Sequence, residues 1–142
     1  MKPDNIAVQK LQDHTTAGTS AVTSDAIDMM GFQWVRLLTS FGTAAANNTI
    51  KAQQSSDDGV ADAYSDLEGT CTTSGTSDED VSISIYKPTK RYIKFVVARG
   101  TSSTLETMWA IKGGSVRKLP VTHGVSGTVA HESHVSPSEG TA

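Results

Sequence analysis

Apolar and polar residues alternate along this chain in short runs, each closed by a cluster of turn-forming residues. That period of two is the mark of strands rather than helices. Ala21 to Ser24 reads as a first short strand, and Gly31 closes the connection behind it. Phe32 to Phe41 is the clearest strand. Phe32, Trp34, Arg36 and Leu38 fall on one face, with Val35, Leu37 and Phe41 on the other. Apolar residues on both faces predict a central strand covered on both sides. Thr49 to Ser55 follows with Ile50 and Ala52 inward, and Asp57-Asp58-Gly59 makes a turn. Asp62 to Gly69 has an acid to cap a helix start and a glycine to end it, so one helical turn is expected there. Thr70 to Asp80 reads as a loop.

Val81, Ile83 and Ile85 alternate with Ser82, Ser84 and Tyr86, the pattern of a half-buried strand. Lys87-Pro88-Thr89-Lys90 turns the chain, because proline fixes φ and cannot donate to a ladder. Tyr92 to Arg99 is the next strand, so residues 81–99 are expected to form a hairpin. After a turn at Gly100 to Ser103, Thr104 to Lys112 carries Leu105, Trp109 and Ile111 on one face. The core residues expected from these runs are Trp34, Val35, Leu38, Ile83, Ile85, Phe95, Val97 and Ile111.

Turn signals at roughly 8–12-residue intervals predict an all-β chain, an antiparallel β-sandwich or a jelly-roll-like barrel. The expected organisation is an N-terminal arm over 1–19, a β-sandwich over 20–121 and an extended C-terminal tail over 122–142. The tail contains neither Lys, Arg nor an aromatic residue, and cannot by itself bury enough surface to offset its ordering entropy. Val121, Val125, Val129 and Val135 nevertheless recur along it, which points to an extended segment lying against a neighbouring subunit or a partner.

Composition supports the strand reading. Small Thr, Ser, Ala and Gly residues are abundant and only 19% of the 142 residues are charged, which argues against a helical bundle. No apolar run approaches the ~20 residues of a membrane-spanning helix, and no membrane partner is expected. The polar start, Met1-Lys2-Pro3-Asp4-Asn5, has no apolar segment behind it, so no secretory leader is expected. With Cys71 as its one cysteine the chain forms no intrachain disulfide, which fits synthesis in a reducing cytoplasm. A net charge of −3 gives no basic face of the kind nucleic acid requires.

Chemistry is sparse. His131-Glu132-Ser133-His134 superficially resembles a zinc motif, but its histidines are three apart rather than four and sit among poor helix formers. Asp57, Asp58, Asp62, Asp66 and Glu68 lack the spacing of a calcium loop and read as turn and cap residues. No nucleophile elbow, phosphate loop or dinucleotide fingerprint is present. The expectation is a non-enzyme with no cofactor and no metal site. Lys87, Lys90, Arg91, Lys94 and Arg99 form one basic cluster, either a solvated hairpin end or a docking patch for an acidic protein surface. With Val125, Val129 and Val135 they are the candidate docking residues.

Several stretches, taken in order, resemble a known group. They are Asp28-Met29-Met30-Gly31-Phe32, Ser40-Phe41-Gly42, Gln54-Ser55-Ser56-Asp57, Asp66-Leu67-Glu68-Gly69-Thr70, Tyr86 through Tyr92 with Arg99-Gly100, and Ser136-Pro137-Ser138-Glu139-Gly140-Thr141-Ala142. From about residue 15 onward the chain resembles the capsid decoration, or cement, proteins of tailed bacteriophages. The resemblance implies a jelly-roll-like antiparallel fold, an oligomer, and attachment to the outside of the capsid, where the protein would bridge subunits of the major capsid protein. It implies location on the virion exterior after synthesis in the host cytoplasm, and carries over no active site. A homo-oligomer is also expected because open sandwiches expose strand edges, with a trimer ahead of a dimer. The rival reading, a glycan-binding β-sandwich or another surface-interaction module, needs Trp34, Trp109, Tyr86 or Tyr92 on an exposed platform.

Overall fold

The computed structural model describes residues 6–114. Twelve strands follow in order and no helix occurs among the described residues. They are β1 (Ile6–Gln12), β2 (Thr15–Gly18), β3 (Val22–Thr23), β4 (Ile27–Asp28), β5 (Trp34–Phe41) and β6 (Asn48–Ser55), then β7 (Ser65–Asp66), β8 (Thr72–Ser74), β9 (Glu79–Tyr86), β10 (Tyr92–Ala98), β11 (Ser103–Leu105) and β12 (Met108–Gly113).

One sheet has the order β1-β12-β5-β9, every pair antiparallel. In the other, β10 and β6 are central, β3 and β4 lie in one line on the outer side of β10, and β7 and β8 lie in one line outside β6. Counting each broken line as one strand and leaving aside the small β2–β11 pair, the eight strand positions run 1-8-3-6 in one sheet and 2-7-4-5 in the other. That is the strand order of a jelly roll, two interleaved Greek keys. The sheets stay separate, so the architecture is a sandwich and not a closed barrel.

The core lies between the inner faces. Val35, Leu37 and Phe41 of β5, Met108 and Ala110 of β12, Ile50 and Ala52 of β6, and Ile93, Phe95 and Val97 of β10 are almost wholly buried. Ser24 closes the gap between β3 and β4. Its amide donates to the Phe95 carbonyl, and its hydroxyl accepts the Phe95 N–H, each at 2.9 Å.

The structure corrects several sequence expectations. Residues 81–99 do not form a hairpin, because β9 pairs with β5 in one sheet while β10 pairs with β6, β3 and β4 in the other. Alternation identifies each strand but not its partner, and residues 87–91 suffice to cross the ~10 Å between stacked sheets. Thr104 to Lys112 is interrupted at Glu106 and Thr107, where the Glu106 amide donates to the Ser40 carbonyl. The interruption changes which positions face inward. Leu105, Met108 and Ala110 are buried while Trp109 and Ile111 turn outward, as a shift of odd length requires.

The Asp62–Gly69 helical turn is absent. Asp57 is the capping acid instead, its carboxylate accepting the amides of Val60, Ala61 and Asp62, and the chain then enters β7. Within the expected N-terminal arm, Ile6–Gln12 is an edge strand of the sandwich with Ala7 and Leu11 buried. Part of the Thr70–Asp80 loop is strand β8. Val125, Val129, Val135 and the rest of the tail lie outside the described residues.

Candidate functional site

The basic cluster is largely engaged within the molecule. The Lys90 ammonium holds Asp62 at 2.7 Å, and that pairing pulls the Asp62 carboxyl down to about 2. Arg91 grips both oxygens of Asp28 at 2.9 and 2.7 Å, which likewise holds that carboxyl below the ordinary range. Lys94 lies 3.5 Å from Asp58 and over the Tyr64 ring, whose hydroxyl donates to the same aspartate. Arg99, at the opposite end of β10, donates to the carbonyls of Thr16, Ser20 and Ser103 and so ties the β2 segment down. Lys87 alone of the five has no side-chain hydrogen bond or ion pair among the described residues. Its ammonium sits 5.3 Å from the centre of the Tyr86 ring.

Lys87 and Tyr86 border the most unusual surface of the molecule, the outer face of the four-stranded sheet. Register sets its rows. The first runs Ile6, Gly113, Trp34, Tyr86; the second Val8, Ile111, Arg36, Ser84; the third Lys10, Trp109, Leu38, Ser82. Gly113 is there because the Trp34 indole lies across it, and a Cβ at that position would collide with the ring. Arg36 is held flat in the second row by its Nε–H donating to Ser84 Oγ at 2.9 Å. Tyr86 is 67% exposed and Leu38 38%, while Trp34, Trp109 and Ile111 are half-buried. Two shallow grooves cross the face, one along Ile6, Trp34, Tyr86 and Ile111, the other along Leu38, Ser82, Thr107 and Trp109.

The expectation that Trp34, Leu38 and Ile111 belong to the core is therefore corrected, and so is that of a second cover over β5, which no described residue supplies. Leu38 stands open and Trp34 and Ile111 are only half-buried, whereas Ile85, also partly buried, packs against the core as expected. The signal was in the sequence: Arg36 interrupts the second apolar stripe of β5, and serines alternate on the outward side of β9. Apolar and aromatic side chains gathered on one exposed face in this way make it the candidate interaction surface.

The site offers contacts rather than catalysis. Among the described residues no group of three or more His, Cys, Asp or Glu side chains converges as metal ligands. His14 pairs with Glu106 at 3.1 Å on the surface, and Cys71 is an exposed free thiol. No helix among the described residues is long and apolar enough to cross a membrane.

No protein-family model matches the chain, and no curated protein matches it. Its fold is similar to that of the SPBc2 prophage-derived protein YomS, with a TM-score of 0.53 at 13% identity, over 75% of this chain and 91% of that one. It is also similar to a protein of Bacillus endospore appendages, a family of disulfide-linked pili, with a TM-score of 0.50 at 16% identity, over 77% and 88% of the two chains. A looser likeness, at a TM-score of 0.40 and 14% identity, links it to the tobacco streak virus coat protein over 92% of this chain and 99% of that one.

Proposed function

We propose that this protein is a structural component of a phage virion that attaches to the outside of the capsid and bridges subunits of the major capsid protein. The observation that carries the reading is the outer face of the β1-β12-β5-β9 sheet, over which no described strand packs, with Trp34, Leu38, Trp109, Ile111 and Tyr86 in three registered rows. The fold likeness to a prophage-derived protein supports the same reading. Aromatic residues in a rigid sheet make good anchors, since little side-chain entropy is lost when they are covered. Lys87 is the cation left at the rim, available to an acidic shell surface.

The size of the face sets how it would be used. Three rows across four strands span about 15 by 15–20 Å, roughly 300 Å², whereas a stable interface takes about 800 Å² from each partner. A single copy would therefore hold weakly, and tethering several copies would multiply the attachment.

The test is co-sedimentation with purified capsid shells. Leu38→Glu and Trp109→Ala should each reduce the bound fraction at least about tenfold, since a buried carboxylate or a lost aromatic anchor costs more than about 1.4 kcal/mol. Val60→Asp, on a loop where the side chain is 86% exposed, serves as the unaffected control. Equal binding by all three variants would overturn the proposal.

A second reading rests on the same residues. Trp34, Trp109 and Tyr86 on one face provide the aromatic platform on which a sugar ring stacks. Saturable quenching of tryptophan fluorescence by an oligosaccharide, without affinity for shells, would move the function to glycan binding.

A further inference from the structure

The four sheet edges are not equally protected. The β3–β4 edge is broken at residues 24–26, and the β7–β8 edge is broken at residues 67–71. On β1 the register shifts between Lys10 and Gln12, and the Leu11 carbonyl already accepts the Asp25 amide. By contrast β9 is eight residues long, keeps an unbroken register and pairs only with β5 among the described residues. Alternate residues of β9 point their N–H and C=O groups away from β5, to the side on which no described strand pairs with them. Core cover is also thin there. Val81 and Ile83 retain 5% and 7% exposure and Ile85 is only half-buried, whereas Val35, Leu37 and Phe41 on β5 retain none. Long straight edges of this kind are templates for another strand.

The sequence beyond Gly114 contains a segment that matches this edge. Read as an extended strand, Leu119, Val121, His123 and Val125 fall on one side, with Pro120, Thr122, Gly124 and Ser126 on the other. The first set suits the exposed flank of Val81, Ile83 and Ile85. Pro120 falls in the set whose backbone turns to solvent, where a missing N–H costs nothing. Charge decides the direction. β9 begins at Glu79 and Asp80, just after Asp78; all three are exposed acids with no ion pair among the described residues, Glu79 accepting only the Ser74 hydroxyl, and the strand ends beside the cation Lys87. Arg117 and Lys118 precede the segment, so a parallel strand sets them beside the acids, whereas an antiparallel one sets them against Lys87.

Direction in turn decides which copy supplies the strand. β12 releases the chain at Gly113, in the row of Trp34 and Tyr86, where β9 finishes. To enter at the Glu79 end, the same chain would have to travel the length of β9, ~25 Å, plus three strand spacings, ~14 Å. Residues 115–118 reach only ~14 Å. We propose that residues 119–127 of a second copy add to β9 as a parallel fifth strand, giving head-to-tail self-association.

This stands apart from capsid attachment, because its test contains no shells. Sedimentation of the full chain at micromolar concentration should show association. Reversing Arg117→Glu with Lys118→Glu should weaken it at least about tenfold, and adding Glu79→Lys with Asp80→Lys should restore it. Val125→Asp should weaken it similarly and Thr122→Asp should not, while all variants keep the same thermal melt. A chain that stays monomeric at tens of micromolar, a charge reversal without effect or without rescue, or β9 amides protected from exchange in a monomer would each overturn the proposal. The last result would place the segment, or another occupant, on its own copy's edge.

Discussion

Leu37 and Leu38 are neighbours on β5 with identical side chains and opposite surroundings, which makes them a controlled test of the face assignment. Leu37 is completely buried between the sheets, whereas Leu38 is 38% exposed on the outer face. Truncating either to alanine removes three carbons, about 2.4 kcal/mol of transfer free energy at ~0.8 per group when burial is complete. At Leu37 the void adds a cavity cost, because close-packed neighbours relax only in part, and the expected loss is about 3–4.5 kcal/mol. At Leu38 only about three-fifths of the transfer term applies and water fills the space, so the expected loss is about 1.5 kcal/mol or less. Urea titration of both variants against the parent measures this, with an unchanged slope confirming that the unfolding reaction is the same. Docking should follow the reverse order, with Leu38→Ala weakening shell binding and Leu37→Ala leaving it intact in the folded fraction. Equal stability losses, or a larger one at Leu38, would mean that β5 is covered on both sides and that the outer face is not a free surface.

Other perturbations follow from the same geometry. Phe95→Ala should cost about 3–5 kcal/mol, since its side chain is fully buried in the centre of the second sheet, and a loss under about 1 kcal/mol in denaturant would show the strand misplaced. Asp28, Asp57, Asp62 and Asp66 all have carboxyls below their ordinary value, held there first by Arg91, the Ala61 amide, Lys90 and Lys51 respectively. Their contribution is present above the unfolded carboxylate range near pH 4 and lost as pH falls toward 2, so melting temperature should drop across that window. Asp62→Asn should flatten the drop, and an unchanged pH profile would contradict the Lys90 pairing. Deleting residues 122–142 should leave the melt unchanged while abolishing self-association, and a truncated chain that still associates would exclude the tail as the added strand.

The alternation of residues 32–41, 49–55, 81–86 and 92–99 was enough to place four of the five longest strands and the all-β class, because period two is a local property of the backbone; β1, equal in length to β10, was read as an arm. The inward assignment of Ile50 and Ala52 and the burial of Val35, Phe95 and Val97 followed from the same patterning, whereas the choice of the Leu37 face of β5 over the Leu38 face did not. Partner choice did not. Whether Lys87–Arg91 closes a hairpin or arches between sheets depends on which edge is already occupied, which is settled only when β5 and β6 take their places. The break at Glu106–Thr107 likewise reverses the face of Trp109 and Ile111 through contacts with Ser40 and Thr39, about 67 residues away in sequence. The basic residues were legible as a cluster, yet their partners come from strand β4 (Asp28) and from the segment between β6 and β7 (Asp58 and Asp62), so their mutual neutralisation is a product of tertiary packing. The apolar face arose in the same way. Sequence determined that β5 has two apolar stripes, and only the assembled sandwich, with one layer against each sheet, decided that the second stripe has nothing among the described residues to cover it.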